Sequence, residues 1–262
     1  MIAADLLDTI VAATRRAVEA RQERCPQAEL ERRLVRRPRG EAFETALRTS
    51  PEPRVIAECK RRSPSRGILR RSYNPAAHAL AYARAGAAAI SVLTEPTFFD
   101  GTPGHLAEVR GTVDLPLLRK DFIITEYQLI EAAVLGAEAA LLIVAALDHD
   151  VLAKLVSACG RWSLAALVEV HDAEELRRAT DAGAQIIGVN SRNLRTLDLE
   201  PRVHDDLARA IPAGVTLVAE SGIRTSADLK RLSAAGYHAF LVGERLITHD
   251  DPGAALRELR GR

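Results

Sequence analysis

The sequence is poor in the features that mark secreted, membrane-spanning or nucleic-acid-binding proteins. It has only three cysteines in 262 residues, without metal-ligand spacing, which is typical of a protein kept in a reducing cytosol. It has no apolar run of membrane-spanning length and no basic segment ahead of an apolar core at its start, so we expect neither an anchor nor a signal peptide. Its 36 basic and 35 acidic residues leave a net charge of +1, which gives no support to a nucleic-acid or membrane partner. We therefore expect a cytoplasmic protein with neither kind of partner.

The sequence does contain enough hydrophobic residues, 47% of the total, for one large α/β domain or two small ones. Its first part is predicted to be helical at residues 5–22, in a turn at Ala28–Leu34 and at Glu41–Arg48. A basic run at residues 32–39 has no interleaved aromatic residues, so we expect a solvated segment rather than a nucleic-acid arm. Residues 1–50 are therefore predicted to form an N-terminal helical extension.

After residue 54, apolar runs of strand length alternate with stretches of helical pattern. Eight such runs occur, at Val55–Ala57, Ala88–Leu93, Leu115–Leu118, Ala139–Val144, Leu164–Val168, Gln185–Val189, Val215–Ala219 and Ala239–Val242. Several helices begin with an acceptor side chain followed by Pro or, three residues on, by Glu or Gln. These starts are Asn74-Pro75, Thr102-Pro103, Thr125 with Gln128, Asp172 with Glu175, and Asp251-Pro252.

Glycines follow the helical stretches at intervals of about 50 residues, which is the length of two βα units. They are Gly86, Gly136, Gly183 and Gly236. Eight alternating units predict a (β/α)8 TIM barrel, with residues 1–262 as a single domain. The alternative, a doubly wound open sheet, would need fewer strands and a Gly-rich dinucleotide turn after the first strand, and that turn is missing.

The stretch Val55–Gly67, VIAECKRRSPSRG, places two charges at the end of the first strand. Glu58 and Lys60 lie on the same face of the strand, because side chains alternate along it. Burying charges is costly, so charged residues on a buried strand are expected to pair with each other or to take part in a functional site. Pro64 and Gly67 then predict a loop without regular structure. The simplest alternative is a strand end with a solvated ion pair, but carboxyl ends of parallel strands are also where α/β proteins bind ligands.

Other strands end in polar residues too, and in a barrel all these ends meet at one face. Lys120 follows the third strand, Glu169 the fifth and Asn190 the sixth, while Glu220 and Ser221 follow the seventh. Lysines, carboxylates, an amide and a hydroxyl predict a general acid–base site. We expect crowding and partial burial to lower the lysine pKa values toward neutrality.

The segments AECKRRSPSRG, SVLTEPTFFDGT, LPLLRKDFIITEYQ, LVEVHDAEEL, IIGVNSRNLRTLDLE, VAESGI and FLVGERLI occur in the order found in one enzyme family. The chain resembles the indole-3-glycerol phosphate synthases, and the resemblance extends over roughly residues 1–250 of a barrel with an N-terminal extension. It implies conversion of 1-(2-carboxyphenylamino)-1-deoxyribulose 5-phosphate to indole-3-glycerol phosphate, carbon dioxide and water, in tryptophan biosynthesis. It implies a phosphorylated small-molecule substrate and neither a metal nor a cofactor.

The resemblance also implies roles for individual residues. Lys120 would be the general acid at ring closure and Glu169 the general base. Lys60 would bind the substrate carboxylate and could also donate a proton at dehydration. Three residues, Glu58, Asn190 and Ser221, would orient the substrate and the lysines. Substrate contacts would come from Ser63, Phe99, Phe122, Leu141, Ile143, Arg192, Leu194 and Glu220. Main-chain N–H groups of Gly222, Gly243 and Glu244 would hold the phosphate.

Two other interpretations compete with this one. A neighbouring phosphate-binding barrel, such as phosphoribosylanthranilate isomerase or the tryptophan synthase α chain, would not combine the RKDF lysine with an E-C-K first strand. A barrel that binds the ligand without catalysis would lack Lys120 or Glu169, and both are present. No apolar patch is evident on the predicted helix faces, which favours a monomer. We expect the N-terminal extension to cover part of the barrel, so that its deletion weakens substrate binding.

Overall fold

The computed structural model describes residues 6–262, so the predicted helix start at residue 5 lies outside the described residues. Within them, eight strands belong to one closed sheet, labelled β1 to β8 in chain order: Val55–Cys59, Ala89–Leu93, Leu117–Lys120, Ala139–Ile143, Ala165–Val170, Ile186–Asn190, Thr216–Glu220 and Ala239–Val242. The helices α1 to α12 span Leu6–Arg24, Gln27–Arg32, Gly40–Thr49, Pro75–Arg84, Pro103–Arg110, Glu126–Val134, His149–Arg161, Ala173–Asp181, Arg202–Ala208, Ser226–Ala234, Glu244–Ile247 and Pro252–Leu259. None of these helices is long and apolar enough to cross a membrane.

The strands close into a barrel in which each pairs in parallel with its sequence neighbours and β1 also pairs with β8. Side chains alternate between two layers, as the pleat requires. Ile56, Leu118 and Leu167 point into the barrel, whereas Cys59 packs in the layer between strands and helices. The predicted (β/α)8 barrel is therefore confirmed.

All eight predicted strands occur, but several extend further toward their carboxyl ends than the apolar runs indicated. β1 continues through Glu58, and β6 and β7 end at Asn190 and Glu220. The reason is pairing between neighbouring strands, because Asn190 pairs with Glu220 across the β6–β7 ladder. Polar residues that a hydrophobicity pattern places in loops are thus the last residues of rigid strands.

The predicted helix starts and glycine turns are confirmed as well. Asn74, Thr102, Asp172 and Asp251 each accept a hydrogen bond from a backbone N–H in the first turn of the following helix. Thr125 and Gln128 form the predicted capping box. The four glycines that follow helices have φ between 83° and 102°, the left-handed region that only glycine adopts freely.

One local prediction was wrong. The predicted loop after β1 contains a short antiparallel ribbon, in which Arg62–Ser63 pairs with Gly67–Ile68. Gly67 makes this possible because its φ of 69° lets the chain reverse after the turn at residues 64–66.

The helices before the barrel close it at both ends. α1 packs against α6 and against the 3₁₀ turn Val144–Ala146 that follows β4, at the carboxyl ends of the strands. α3 packs against β2, β5 and β7, and its Phe43 and Leu47 are completely buried. The predicted cover over part of the barrel is therefore present.

Candidate active site

A cavity of about 490 Å³ opens at the carboxyl ends of the strands, and we call it the mouth cavity. All seventeen site residues predicted from the sequence line it: Glu58, Lys60, Ser63, Phe99, Lys120, Phe122, Leu141, Ile143, Glu169, Asn190, Arg192, Leu194, Glu220, Ser221, Gly222, Gly243 and Glu244. They come from segments far apart in the sequence, so closure of the barrel alone brings them together. The individual roles of these residues remain predictions.

Lys120 lies at the centre of the polar part of the mouth cavity. Its Nζ is 3.2 Å from Oε2 of Glu169 and 3.5 Å from Oε2 of Glu220. The side chain is only 15% exposed, at the last position of β3. An ammonium so placed can donate a proton to a ligand atom above it while two carboxylates hold its position.

The predicted lowering of the lysine pKa was wrong for Lys120. Burial alone would lower the pKa of this lysine, as expected from the sequence. The carboxylates of Glu169, Glu220 and Glu58 outweigh burial, however, and the pKa of Lys120 is raised. Carboxylates from three other strands approach the same ammonium, and their combined effect is visible only once the barrel is closed.

Glu169 is completely buried and its two oxygens have different partners. Oε1 accepts a hydrogen bond of 3.0 Å from Nδ2 of Asn190, whereas Oε2 faces Lys120. Burial raises the pKa of Glu169, but Lys120, His171 and Asn190 favour the ionised form more strongly and lower it overall. Glu169 is thus an ionised carboxylate with one oxygen directed toward the cavity's ammonium.

Glu58 and Lys60 form the second charged pair, with Lys60 Nζ 2.6 Å from Glu58 Oε1. Glu58 is 2% exposed and lies against Gly243, which follows β8. A Cβ atom at Gly243 would overlap the Glu58 carboxylate, so this glycine provides space as well as a position beside the cavity. The solvated ion pair of the simplest alternative is not what the structure contains, because the carboxylate is buried.

Glu220 differs from the other two carboxylates. Neither of its oxygens has a hydrogen-bond partner within residues 6–262, and the side chain is 2% exposed. Burial raises its pKa, Lys120 opposes this, and the negative charges of Glu169 and Glu58 add to it, so that the pKa reaches about 8. Glu220 therefore takes up a proton more readily than Glu169 does.

An apolar wall faces these charges. The rings of Phe99 and Phe122 lie 6.1 Å apart, and Leu141, Ile143 and Leu194 complete the surface. The loop that carries Phe99 is held by Glu95, whose carboxylate accepts hydrogen bonds from three consecutive backbone N–H groups at residues 97–99. The wall is therefore fixed in position and suits a flat aromatic ring.

The far end of the mouth cavity has features of an anion site. Ser221 and Gly222 have successive positive φ angles of 62° and 70°, a backbone shape that can direct N–H groups at one point. Arg66 and Arg192 lie 3.1 Å and 3.9 Å from the carboxylate of Glu244. This end therefore combines backbone donors with two guanidinium groups.

The mouth cavity also has lining residues that the sequence did not predict as site residues. They are Leu6, Ile10, Pro64, Ser65, Arg66, Leu93, Asp121, Leu197, Leu199, Ile223, Arg224, Leu241, Val242, Arg245 and Thr248. The extension was expected to cover part of the barrel, but the sequence did not indicate that Leu6 and Ile10 of α1 would reach the cavity. Among residues 6–262, no group of three or more His, Cys, Asp or Glu side chains is arranged to hold a metal ion.

Comparison with known proteins adds sequence relatives to this geometry. A family model described as indole-3-glycerol phosphate synthase matches residues 7–259. Relatives with that name include one from Sulfurimonas denitrificans, 46% identical over 259 residues that cover 97% of this chain and 98% of the relative. Another, from Streptomyces griseus, is 47% identical over 254 residues, which are 97% of this chain and 94% of the relative.

A solved structure shows the fold similarity alone. The N-acetylmannosamine-6-phosphate 2-epimerase from Clostridium perfringens aligns with a TM-score of 0.60 and 15% identity over 78% of this chain and 89% of that chain. At such low identity a shared barrel carries no information about the reaction.

Proposed function

Because the chain belongs to the indole-3-glycerol phosphate synthase family, we infer that it catalyses that family's ring closure, decarboxylation and dehydration, and we propose that the mouth cavity is where it does so. The family expected from the sequence motifs is thereby confirmed. One observation carries the site proposal: Lys120 lies between Glu169 and Glu220, opposite an apolar wall and within reach of an anion site.

The reaction defines what the site must supply. A carbon–carbon bond forms between the ring carbon that bears the carboxylate and the ketone carbon, and the ketone oxygen takes up one proton. Loss of carbon dioxide returns an electron pair to the ring. The new hydroxyl then leaves as water with a second proton, while one proton is lost from the methylene beside the nitrogen. Two protons are donated and one is removed, so the site needs both acids and a base.

We assign the first donation to Lys120. Its raised pKa keeps it protonated at neutral pH, so the acid form is in place before the substrate binds. The ketone oxygen becomes an alkoxide as the ring closes, and an alkoxide is more basic than any lysine amine. Proton transfer is then favourable even from an ammonium held beside the carboxylate of Glu169.

The substrate carboxylate and ring fit the neighbouring surfaces. Lys60 provides a cation for the carboxylate, and its partner Glu58 fixes that cation in place. The apolar wall of Phe99 and Phe122 suits the ring. Decarboxylation is favoured where the carboxylate that loses its charge lies against apolar surface. The phosphate orients the substrate, and in this proposal it binds at Gly222, Gly243 and Glu244, with Ser221 and Ser63 nearby.

Dehydration requires the base. Glu169 is ionised and its Oε2 is 3.2 Å from Lys120, so a proton taken from the substrate methylene can pass to the lysine that gave one up earlier. Lys60 supplies a second ammonium for the departing hydroxyl in this scheme. One proton per turnover then comes from solvent, which agrees with the overall balance.

The test is a turnover assay with matched lysine variants. We expect wild-type protein to form indole-3-glycerol phosphate from the carboxyphenylamino-deoxyribulose phosphate. Lys120→Ala should reduce kcat by about 10³-fold or more, in line with loss of a general acid. Lys154→Ala removes an exposed lysine of α7 and should leave kcat unchanged. Binding without turnover in the wild type would favour a non-catalytic barrel, and absence of binding would refute the substrate.

Two further properties remain proposals. Monomeric behaviour is supported by the scarcity of large exposed hydrophobic side chains within residues 6–262, where Val35 and Ile68 are the two found. A cytoplasmic location is supported by three cysteines that are all free thiols. Light scattering across a concentration series tests the first, and a dimer mass at micromolar concentration would refute it.

A further inference from the structure

His171 lies between two carboxylates just behind the mouth cavity. It follows β5 by one residue, two positions after Glu169. Its ring Nε2 is 3.4 Å from Oε1 of Glu169, and its Nδ1 is 2.9 Å from Oε2 of Glu175 on α8. The His171 side chain is 13% exposed, and Nε2 itself is buried with no hydrogen-bond partner among the described residues 6–262.

The position of Glu175 is not explained by helix capping alone. In a capping box the carboxylate at the third helical position bonds the backbone N–H of the N-cap residue, which is Asp172 here. Glu175 instead accepts a 2.8 Å hydrogen bond from the backbone N–H of His171 and contacts the His171 ring with the same oxygen. One carboxylate thus fixes both the backbone and the ring of this histidine.

The two neighbouring carboxylates determine the protonation of the ring. Ionised carboxylates can only accept hydrogen bonds, so a ring that faces one with each nitrogen is best satisfied with a proton on both. Burial lowers the pKa of His171, but Glu169 and Glu175 outweigh it and raise the pKa to about 10. A cation therefore lies behind Glu169 at neutral pH.

The two oxygens of Glu169 consequently have different neighbours, one oxygen behind the cavity and the other inside it. Asn190 and His171 both approach Oε1, whereas Lys120 approaches Oε2. Resting on the function proposed above, we propose that His171, oriented by Glu175, is a positioning residue that holds Oε1 of Glu169 so that Oε2 faces the substrate as the base. It acts through Glu169 and does not itself line the mouth cavity.

The charges around Glu169 give this proposal a distinctive pH signature. Glu169 faces Lys120 from β3, Asn190 from β6 and Glu220 from β7, with the Glu175–His171 pair behind it. Removing the imidazolium takes away one of the groups that favour the ionised form of Glu169, so the effect of burial is less opposed. The pKa of Glu169 then rises, and the acidic limb of the kcat profile moves to higher pH.

Three variants and one control test the proposal. We expect His171→Leu to lower kcat 10- to 100-fold, to change KM less than threefold and to move the acidic limb upward. His171→Gln keeps an N–H near the Nε2 position and should recover part of kcat without restoring the limb. Glu175→Gln should shift the limb in the same direction by less. Glu174→Gln removes an adjacent carboxylate of α8 that is 64% exposed and should match the wild type.

The outcomes separate this proposal from the function on which it rests. Wild-type protein that does not turn over the substrate refutes the function, whatever the variants do. Active wild type with a His171→Leu profile superimposable on it refutes the positioning role. Should His171→Leu fail to fold, ¹⁵N chemical shifts of the His171 ring in the wild type and in Glu175→Gln report the protonation of the ring and test the proposal instead. A doubly protonated ring at pH 7 that becomes singly protonated in Glu175→Gln supports the proposal, and a neutral ring in the wild type overturns it.

Discussion

The guanidinium of Arg119 on β3 lies 2.7 Å from the carboxylate of Glu131 on α6, and both side chains are buried. Arg119 is completely buried beside Lys120 in the sequence, and Asp121 also pairs with it at 3.0 Å. The other oxygen of Glu131 is 2.8 Å from Nε of Arg21 on α1. Glu131 therefore connects the N-terminal helix to the strand that carries the proposed general acid.

We predict unequal effects on stability from the two ends of this connection. Glu131→Gln leaves Arg119 with one fewer carboxylate in a dry site and should cost on the order of 3 kcal/mol of unfolding free energy. Arg21→Gln removes a partner that is 26% exposed and should cost at most about 1 kcal/mol. Urea denaturation of both variants measures the difference. Equal losses of unfolding free energy in the two variants would show that Asp121 alone is sufficient to balance the buried charge of Arg119.

α1 should also affect the substrate directly. Ile10 lines the mouth cavity and is 3% exposed, whereas Val18 is equally buried on the same helix but packs on Leu30 and Tyr127, away from the cavity. Ile10→Ala should raise KM several-fold with little change in kcat, since it removes apolar contact area from a binding surface.

Val18→Ala is the matched control for this prediction. It should lower thermal stability by a similar amount, because each variant removes buried methyl groups, but it should leave KM unchanged. A rise in KM in both variants would mean that α1 affects binding only through its general stability. Together, Ile10→Ala and Val18→Ala also test whether the N-terminal extension contributes to substrate binding through its contacts with the cavity.

Most of the fold was predictable because the signals are local and repeated. Alternating runs, caps such as Asn74-Pro75 and left-handed glycines such as Gly86 each have a physical cause that lies within a few residues. The list of site residues followed from family motifs. The pKa of Lys120 could not be predicted from the sequence. It is raised by carboxylates from β1, β5 and β7, and these converge only after the barrel closes.

The same limit explains why Gly188 was not recognised. In the sequence of β6 it is an ordinary small residue in an apolar run, although a Cβ atom there would overlap Oε1 of Glu220 and lie 3.3 Å from Leu167. Only the pairing of β6 with β7 shows that Gly188 leaves space for the side chain of Glu220.

We predict that Gly188→Ala lowers kcat at least tenfold. The new methyl group must displace the Glu220 carboxylate, which lies 3.5 Å from Lys120, and so alters the position of the proposed acid. Gly160→Ala is the control, because a Cβ atom at this helical position meets nothing within 4 Å. It should keep full activity and gain roughly 0.5–1 kcal/mol of stability. Wild-type kinetics in Gly188→Ala would show that Glu220 moves without consequence for the reaction.

Glu220 finally predicts a pH-dependent difference in stability. Its pKa is raised from about 4.5 to about 8 in the folded protein, so between these values the native state binds more protons than the unfolded state. Stability from this group is complete below about pH 4.5 and is lost as the pH rises through 8. Glu220→Gln abolishes that loss, so its melting temperature relative to the wild type should increase between about pH 5 and about pH 8 and level off above that. Contributions of all other groups cancel in the difference, provided that the substitution leaves them unchanged, and Ser191→Ala provides a control for disturbance of the neighbouring strand end. A melting-temperature difference that is constant with pH would mean that Lys120 keeps Glu220 ionised in the folded protein.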